Sequence, residues 1–170
     1  MKHCNSFPPI VPDVANIIIL GSIPGEASLK QQQYYAHPRN VFWYILAKYF
    51  DVEIPSLYED RKALVRQHGI LLWDVMRCCD RLGSLDSKID SQTIVVNEFE
   101  PLFLQQPKIL AVLFNGTKAE SEYRRRVLPL LPKKQCTLEL MRLPSTSPAM
   151  ASMNREEKYR VWCDVLSKYL

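Results

Sequence analysis

The chain has 170 residues, 47% hydrophobic and 24% charged, with a formal net charge of +4. That is room for one globular domain, residues 1–170, with a substantial core, and its apolar runs are too short to span a bilayer. The start, Met1-Lys2-His3-Cys4-Asn5, has no leader-like apolar stretch, and the five cysteines show no CxxC or Cys/His spacing. A cytoplasmic protein with reduced, mostly packed thiols is therefore expected, with no metal site.

Residues 15–20 are an apolar run that reads as a buried strand, broken by Gly21 and Gly25. A polar and aromatic stretch follows, with Tyr34-Tyr35 and then His37-Pro38-Arg39-Asn40. Residues 40–50 read as an amphipathic helix, with Val41, Ile45, Leu46 and Tyr49 on one face. Asp60 is a candidate N-cap for a short helix ending at Gly69. Residues 70–73 are the second strand, and 80–96 an excursion packed on the domain. Asn97 and Glu100 resemble a capping box for a helix to about residue 106. The third strand is 109–114, the basic helix 116–130, and the fourth strand 137–143. Asn154 and Glu157 form a second capping-box signal, for a helix to about residue 168.

Continuous apolar strands separated by helices predict an α/β fold with a parallel sheet covered on both faces. Each strand exit is then decorated at one edge of that sheet: Gly21 to Gly25, Asp74, Asn115-Gly116, and Pro144-Ser145-Thr146-Ser147-Pro148. Ligands of open α/β sheets bind at this edge. The Gly21-x-x-x-Gly25 turn lacks the Gly-Lys-Ser/Thr ending of a phosphate loop, so a nucleotide cofactor is not expected. Ser22, Ser145 and Ser147 lack the G-x-S-x-G elbow of a serine hydrolase. Tyr34 and Tyr35 are either core packing or a stacking platform. Asp74 caps a turn or faces a ligand, Asn115 holds a loop or reads a ligand, and Asn40 caps a helix or takes part in chemistry. Three basic clusters stand out: Lys118 with Arg124, Arg125 and Arg126; Lys133, Lys134 and Arg142; and Arg155, Lys158 and Arg160. They read as solvated helix faces or as the footprint of a polyanion.

Two of these stretches carry a family resemblance. Gly21-Ser22-Ile23-Pro24-Gly25 with Tyr35-Ala36-His37-Pro38-Arg39-Asn40-Val41-Phe42-Trp43 resembles the first motif of the uracil-DNA glycosylase superfamily. Leu143-Pro144-Ser145-Thr146-Ser147-Pro148-Ala149 resembles its second. Leu72–Val75, Gly83–Ser87 and Phe114–Gly116 match the hypoxanthine-DNA (deoxyinosine) glycosylase branch, and the similarity runs over about residues 14–165. The resemblance implies a three-layer α/β/α sandwich around a four-stranded parallel sheet. It implies a monofunctional glycosylase that removes hypoxanthine or uracil from damaged DNA, without cofactor or metal, as a monomer.

On that resemblance, Asn40 is the catalytic residue. Ser22, Ile23, Pro24, Gly25, Tyr35, Asp74 and Asn115 bind the base, with Tyr35 stacking on it. Ser145, Thr146, Ser147 and Pro148 pinch the phosphate backbone, and Met150 fills the gap left by the flipped base. Two departures stand against it, one being Met150 where related sequences often carry His. The superfamily's first motif usually carries a water-activating Asp or Asn after strand one, and Ser22-Ile23-Pro24 supplies neither. Catalytic weakness with DNA binding retained is thus an alternative, and a small-molecule serine hydrolase a more distant one.

Overall fold

The apolar runs become neighbouring strands. The computed structural model describes residues 2–133 and 135–170, so Met1 and Lys134 of the second basic cluster lie outside the described residues. In chain order the strands are β1 (Lys2–Asn5), β2 (Ile17–Gly21), β3 (Ile70–Asp74), β4 (Met76–Arg81), β5 (Val95–Val96), β6 (Ala111–Asn115) and β7 (Glu139–Leu143). The helices are α1 (Glu26–Gln31), α2 (Phe42–Tyr49), α3 (Tyr58–Gln67), α4 (Phe99–Gln105), α5 (Thr117–Glu122) and α6 (Arg155–Leu166).

The predicted four-stranded parallel sheet forms, in the order β3-β2-β6-β7. Ile17 lies level with Ile70 on one side and Ala111 on the other. Successive side chains alternate between two cores, as a strand covered on both faces requires. Ile17, Ile19, Leu72 and Leu113 pack with Phe42, Trp43 and Leu46 of α2 and Trp162 of α6. Ile18, Leu20, Leu71 and Phe114 pack with Phe99 and Phe103 of α4 and Tyr123 beyond α5.

The order also places the site. From β2 the chain goes through α1, α2 and α3 to β3, then crosses to β6 on the opposite side of β2. The chain thus leaves β2 and β6 towards opposite layers, α2 in one and α5 in the other. A crevice opens at such a switch point.

Several local expectations are corrected. The excursion at 80–96 contributes to a second sheet, antiparallel, in the order β1-β4-β5. The helix assigned to an Asp60 cap starts at Tyr58 with Leu57 at the N-cap. Asn97 caps nothing: α4 starts behind Glu98, and the Asn97 amide donates to the Asp74 carbonyl at 2.8 Å. The basic helix stops at Glu122, passes through a π turn, Tyr123–Val127, and ends as a 3₁₀ turn, Leu128–Leu130, with Pro129 in its first turn. The Asn154–Glu157 capping box forms in full. Among the described residues no helix is long and apolar enough to cross a membrane.

Candidate active site

At the carboxyl end of the parallel strands lies a cleft of about 870 Å³. Every site residue expected from the sequence lines it. One wall is the Gly21–Gly25 turn, and the Tyr35–Asn40 loop stands beside it. Asp74 lies at the floor, and the loops after β6 and β7 close the far side.

The floor is built on Gly21. A Cβ there would collide with the Asp74 carboxylate and lie 3.1 Å from the Tyr35 hydroxyl, so only glycine lets both reach this spot. Asp74 is 3% exposed. Burial pushes its carboxyl up to about 8, Asp86 nearby adds to the rise, and Arg81 opposes it. Asp74 is therefore mostly protonated at neutral pH. Tyr35 takes a left-handed backbone, φ 54°, and its ring stacks on Phe42 with centroids 4.0 Å apart. Burial raises its hydroxyl well above the usual range; Asp74, once ionised at alkaline pH, adds to this, and the neighbouring Asn115 side chain opposes it. Its neighbour Tyr34 is core instead, 3% exposed, with its hydroxyl donating to the Phe7 and Pro8 carbonyls.

Asn40 sits just outside α2, whose N-cap is Val41. Its Oδ1 accepts the Phe42 N–H at 3.0 Å. That bond fixes the amide at the cleft while leaving a second Oδ1 lone pair and both N–H groups available. Asn115 has less freedom. Its Nδ2 donates to Thr146 Oγ1 at 2.9 Å, and its Oδ1 accepts the Thr146 N–H at 2.8 Å. Of its two expected roles, the geometry matches holding the loop.

That loop is braced from behind as well. Ser145 and Ser147 hydroxyls accept the N–H groups of Ser147 and Ala149, and Trp162 Nε1 donates to the Pro144 carbonyl. Lys158 of α6, 4% exposed, donates from Nζ to the carbonyls of Ser147 and Met150 at 3.1 and 2.8 Å. Loss of solvent lowers its pKa.

On the opposite wall, Ser22 Oγ donates to Asp86 Oδ1 at 2.9 Å. Desolvation raises the Asp86 carboxyl above its usual range, with Ser22, Arg81 and Lys118 opposing. Arg81, 1% exposed, donates to the Pro24 and Gly83 carbonyls, both at 2.7 Å, and so ties the two turns of this wall together. Ile23 turns its side chain away, into the small core of Cys4, Met76 and Cys79. No histidine bonds to Ser22 or Ser145; His37 Nδ1 instead accepts the Arg39 N–H. Among the described residues no Ser-His pair is therefore formed at the cleft, and the Ser22 hydroxyl is engaged by Asp86 alone.

The sequence reading missed three residues here. Asp86 lay within the Gly83–Ser87 match without an assigned role. Arg81 carried no reading of its own, and Lys158 sat in a cluster read as a solvated helix face or a polyanion footprint; nothing in the local pattern separates either from its neighbours.

A family model described as the Uracil DNA glycosylase superfamily matches residues 8–166. The chain belongs to this superfamily. A hypoxanthine DNA glycosylase of Methanosarcina acetivorans is 36% identical over 156 residues, 90% of this chain and 93% of that one. Another, from Methanosarcina barkeri, is 39% identical over 114 residues, 66% of this chain and 71% of that one. A solution NMR structure from M. acetivorans, described as a candidate uracil DNA glycosylase, matches with a TM-score of 0.77 and 34% identity, covering 98% of this chain and 99% of that one. Membership in the uracil DNA glycosylase superfamily makes this chain a DNA glycosylase, and the hypoxanthine branch noted in the sequence is the one its curated relatives carry.

Proposed function

We propose that this glycosylase flips a deaminated base, hypoxanthine or uracil, out of damaged DNA into the cleft. There it hydrolyses the N-glycosidic bond and leaves an abasic site. One observation carries the reading: all four strand exits deliver their polar residues into a single cleft wide enough for a base.

The flipped base lies along Tyr35, one side of whose ring is occupied by Phe42. Stacking of this kind is worth about 1–3 kcal/mol per base. Asn40 orients the attacking water, and its carbonyl oxygen faces the positive charge that develops on the sugar. An amide does not titrate, so Asn40 works by position and dipole, not as a strong base. The carboxylate missing from Ser22-Ile23-Pro24 is offered from a different segment by Asp86, through its bond to Ser22. This weighs against the reading as a DNA-binding relative without chemistry. Ser145–Ser147 contact the backbone phosphates, and Met150 enters the stack where the base has left. Water is the nucleophile, because the amine lining the cleft, Lys118, is paired with Glu122 at 2.8 Å. That pairing supports a monofunctional enzyme, one without strand cleavage.

The test is excision from duplexes that carry deoxyinosine or deoxyuridine, with no added metal or nucleotide. Alkali-labile sites are expected for one or both. Asn40→Ala is expected to lose about a hundredfold or more in single-turnover rate while melting as the parent does. Early melting with a fully active surviving fraction would reduce Asn40 to a turn residue. Binding without excision of either base would leave the chain a DNA-binding relative.

A further inference from the structure

Two polar atoms beneath the cleft meet no partner among the described residues: Asp74 Oδ2 and the Tyr35 hydroxyl. A buried carboxylate needs several donors or a contacting cation to keep its charge. Asp74 has neither. Its backbone carbonyl takes the Asn97 amide, but Oδ2 is buried at the cleft floor and meets no partner among the described residues.

The groups around it make ionisation harder still. Asp86 approaches from the turn after β4 as a like charge. Tyr34 and Tyr35 from the loop after α1 and Tyr58 from α3 also face it, as neutral phenols that bring no compensating charge. Against Asp86 stands the cation Arg81 on β4, whose Nε and Nη2 are committed to the Gly83 and Pro24 carbonyls and whose Nη1, though unpartnered, makes no hydrogen bond to Asp74. A neutral acid is what this floor is built to hold.

We propose that Asp74 reads the flipped base as an un-ionised carboxylic acid, its O–H donating to the base's carbonyl oxygen and its C=O accepting the adjacent ring N–H. The inference rests on the cleft being the base pocket, as argued above. Hypoxanthine and uracil share a ring N–H beside a carbonyl, so one neutral acid serves both. The substrate class is thus a base with a lactam edge. A carboxylate would accept the N–H but would repel the carbonyl oxygen next to it. The Tyr35 hydroxyl, unpartnered at the same glycine floor, supplies a further donor on that side.

The experiment compares the parent with Asp74→Asn across neutral and alkaline pH, in single-turnover excision of hypoxanthine. An amide keeps one donor and one acceptor without titrating, and the parent-to-variant ratio at each pH cancels titration of the substrate. Asp74→Asn is expected to retain about a third or more of the parent rate at neutral pH. Above about 8, where Asp74 loses its proton, the ratio should fall about tenfold per pH unit. Asp74→Leu, matched in shape but without hydrogen bonds, should lose about a hundredfold while still binding duplex that carries an abasic analogue. A ratio that rises through this range, with Asp74→Asn nearly dead, would overturn the inference in favour of a carboxylate. A fully active Asp74→Leu would overturn it in favour of no role. If the parent excises no base at all, the function reading fails separately, and binding of free hypoxanthine followed by tryptophan fluorescence still reads the acid. A parent-to-variant affinity ratio that falls above pH 8 upholds it, and a pH-independent ratio refutes it, the ratio cancelling the titration of hypoxanthine itself.

Discussion

The two ends of the parallel sheet carry depressions of nearly equal volume, about 870 Å³ at the carboxyl end and about 880 Å³ at the amino end. They differ in how their polar groups are satisfied. At the amino end Gln106 accepts the Ala15 N–H and donates to the Pro12 carbonyl. Asn16 donates its N–H to the Gly69 carbonyl and accepts the Leu110 N–H. At the carboxyl end an acid and a phenol stay unpaired, and Tyr35 holds a left-handed backbone. Volume alone does not mark a site. What sets the carboxyl end apart is that its unpaired acid and phenol lie at the floor of a cleft, unlike the unpaired Tyr123 hydroxyl inside the core.

If this contrast holds, changes at the two ends should separate stability from activity. The largest effect is expected at Asp74. Its folded pKa of about 8 lies above the ordinary value of 3.8, so the folded chain keeps a proton that the unfolded chain releases. Stability is then full below about 3.8 and declines as pH rises towards 8. Asp74→Asn should stabilise the protein by about 4 kcal/mol at pH 7, and the gain should vanish near pH 4. Chemical denaturation at both pH values checks this, and a pH-independent difference would contradict it.

Next come two variants of similar cost and opposite readout. Lys158→Met leaves two carbonyls of the Ser147–Met150 loop without a donor. A loss of about 2 kcal/mol is expected, together with about tenfold weaker DNA binding and little change in single-turnover rate at saturating enzyme. Gln106→Leu removes two buried hydrogen bonds at the amino end and should also cost about 2 kcal/mol. Excision per folded molecule should stay unchanged; a slower rate would show that the amino end is coupled to the site.

The smallest effect concerns charge. Lys118 and Arg126 pair with Glu122, and Arg124 pairs with Glu120, so most of that basic cluster is locally neutralised. Arg125 is exposed. Arg125→Gln should lower the salt slope of DNA binding by about one, equally for damaged and undamaged duplex.

Much of the scaffold was legible because buried strands announce themselves. Residues 15–20, 70–73 and 109–114 differ from the observed strands only at their ends, and 137–143 by a late start. The second sheet was not legible. Its central strand, Met76–Arg81, mixes cysteine, aspartate and arginine, and its apolar alternation is too weak to register. The first sign of the site, polar residues crowding the strand exits, was equally readable. Roles were harder. Asn97 and Asn154 each precede a Glu by three positions, yet one points back to the Asp74 carbonyl and the other caps a helix. Sequence spacing cannot separate them, because the choice is made by β3, which reaches Asn97 from more than twenty residues away.

The brace behind the Ser147–Met150 loop has a consequence in time. Its anchors, Lys158 and Trp162, follow the groups they hold by 8 to 18 residues. On the ribosome the loop therefore emerges with Asn115 and Val41 already present to hold Thr146, but before its α6 anchors exist. A nascent chain can complete β7 and still lack the brace behind Ser147–Met150, which arrives only when α6 docks.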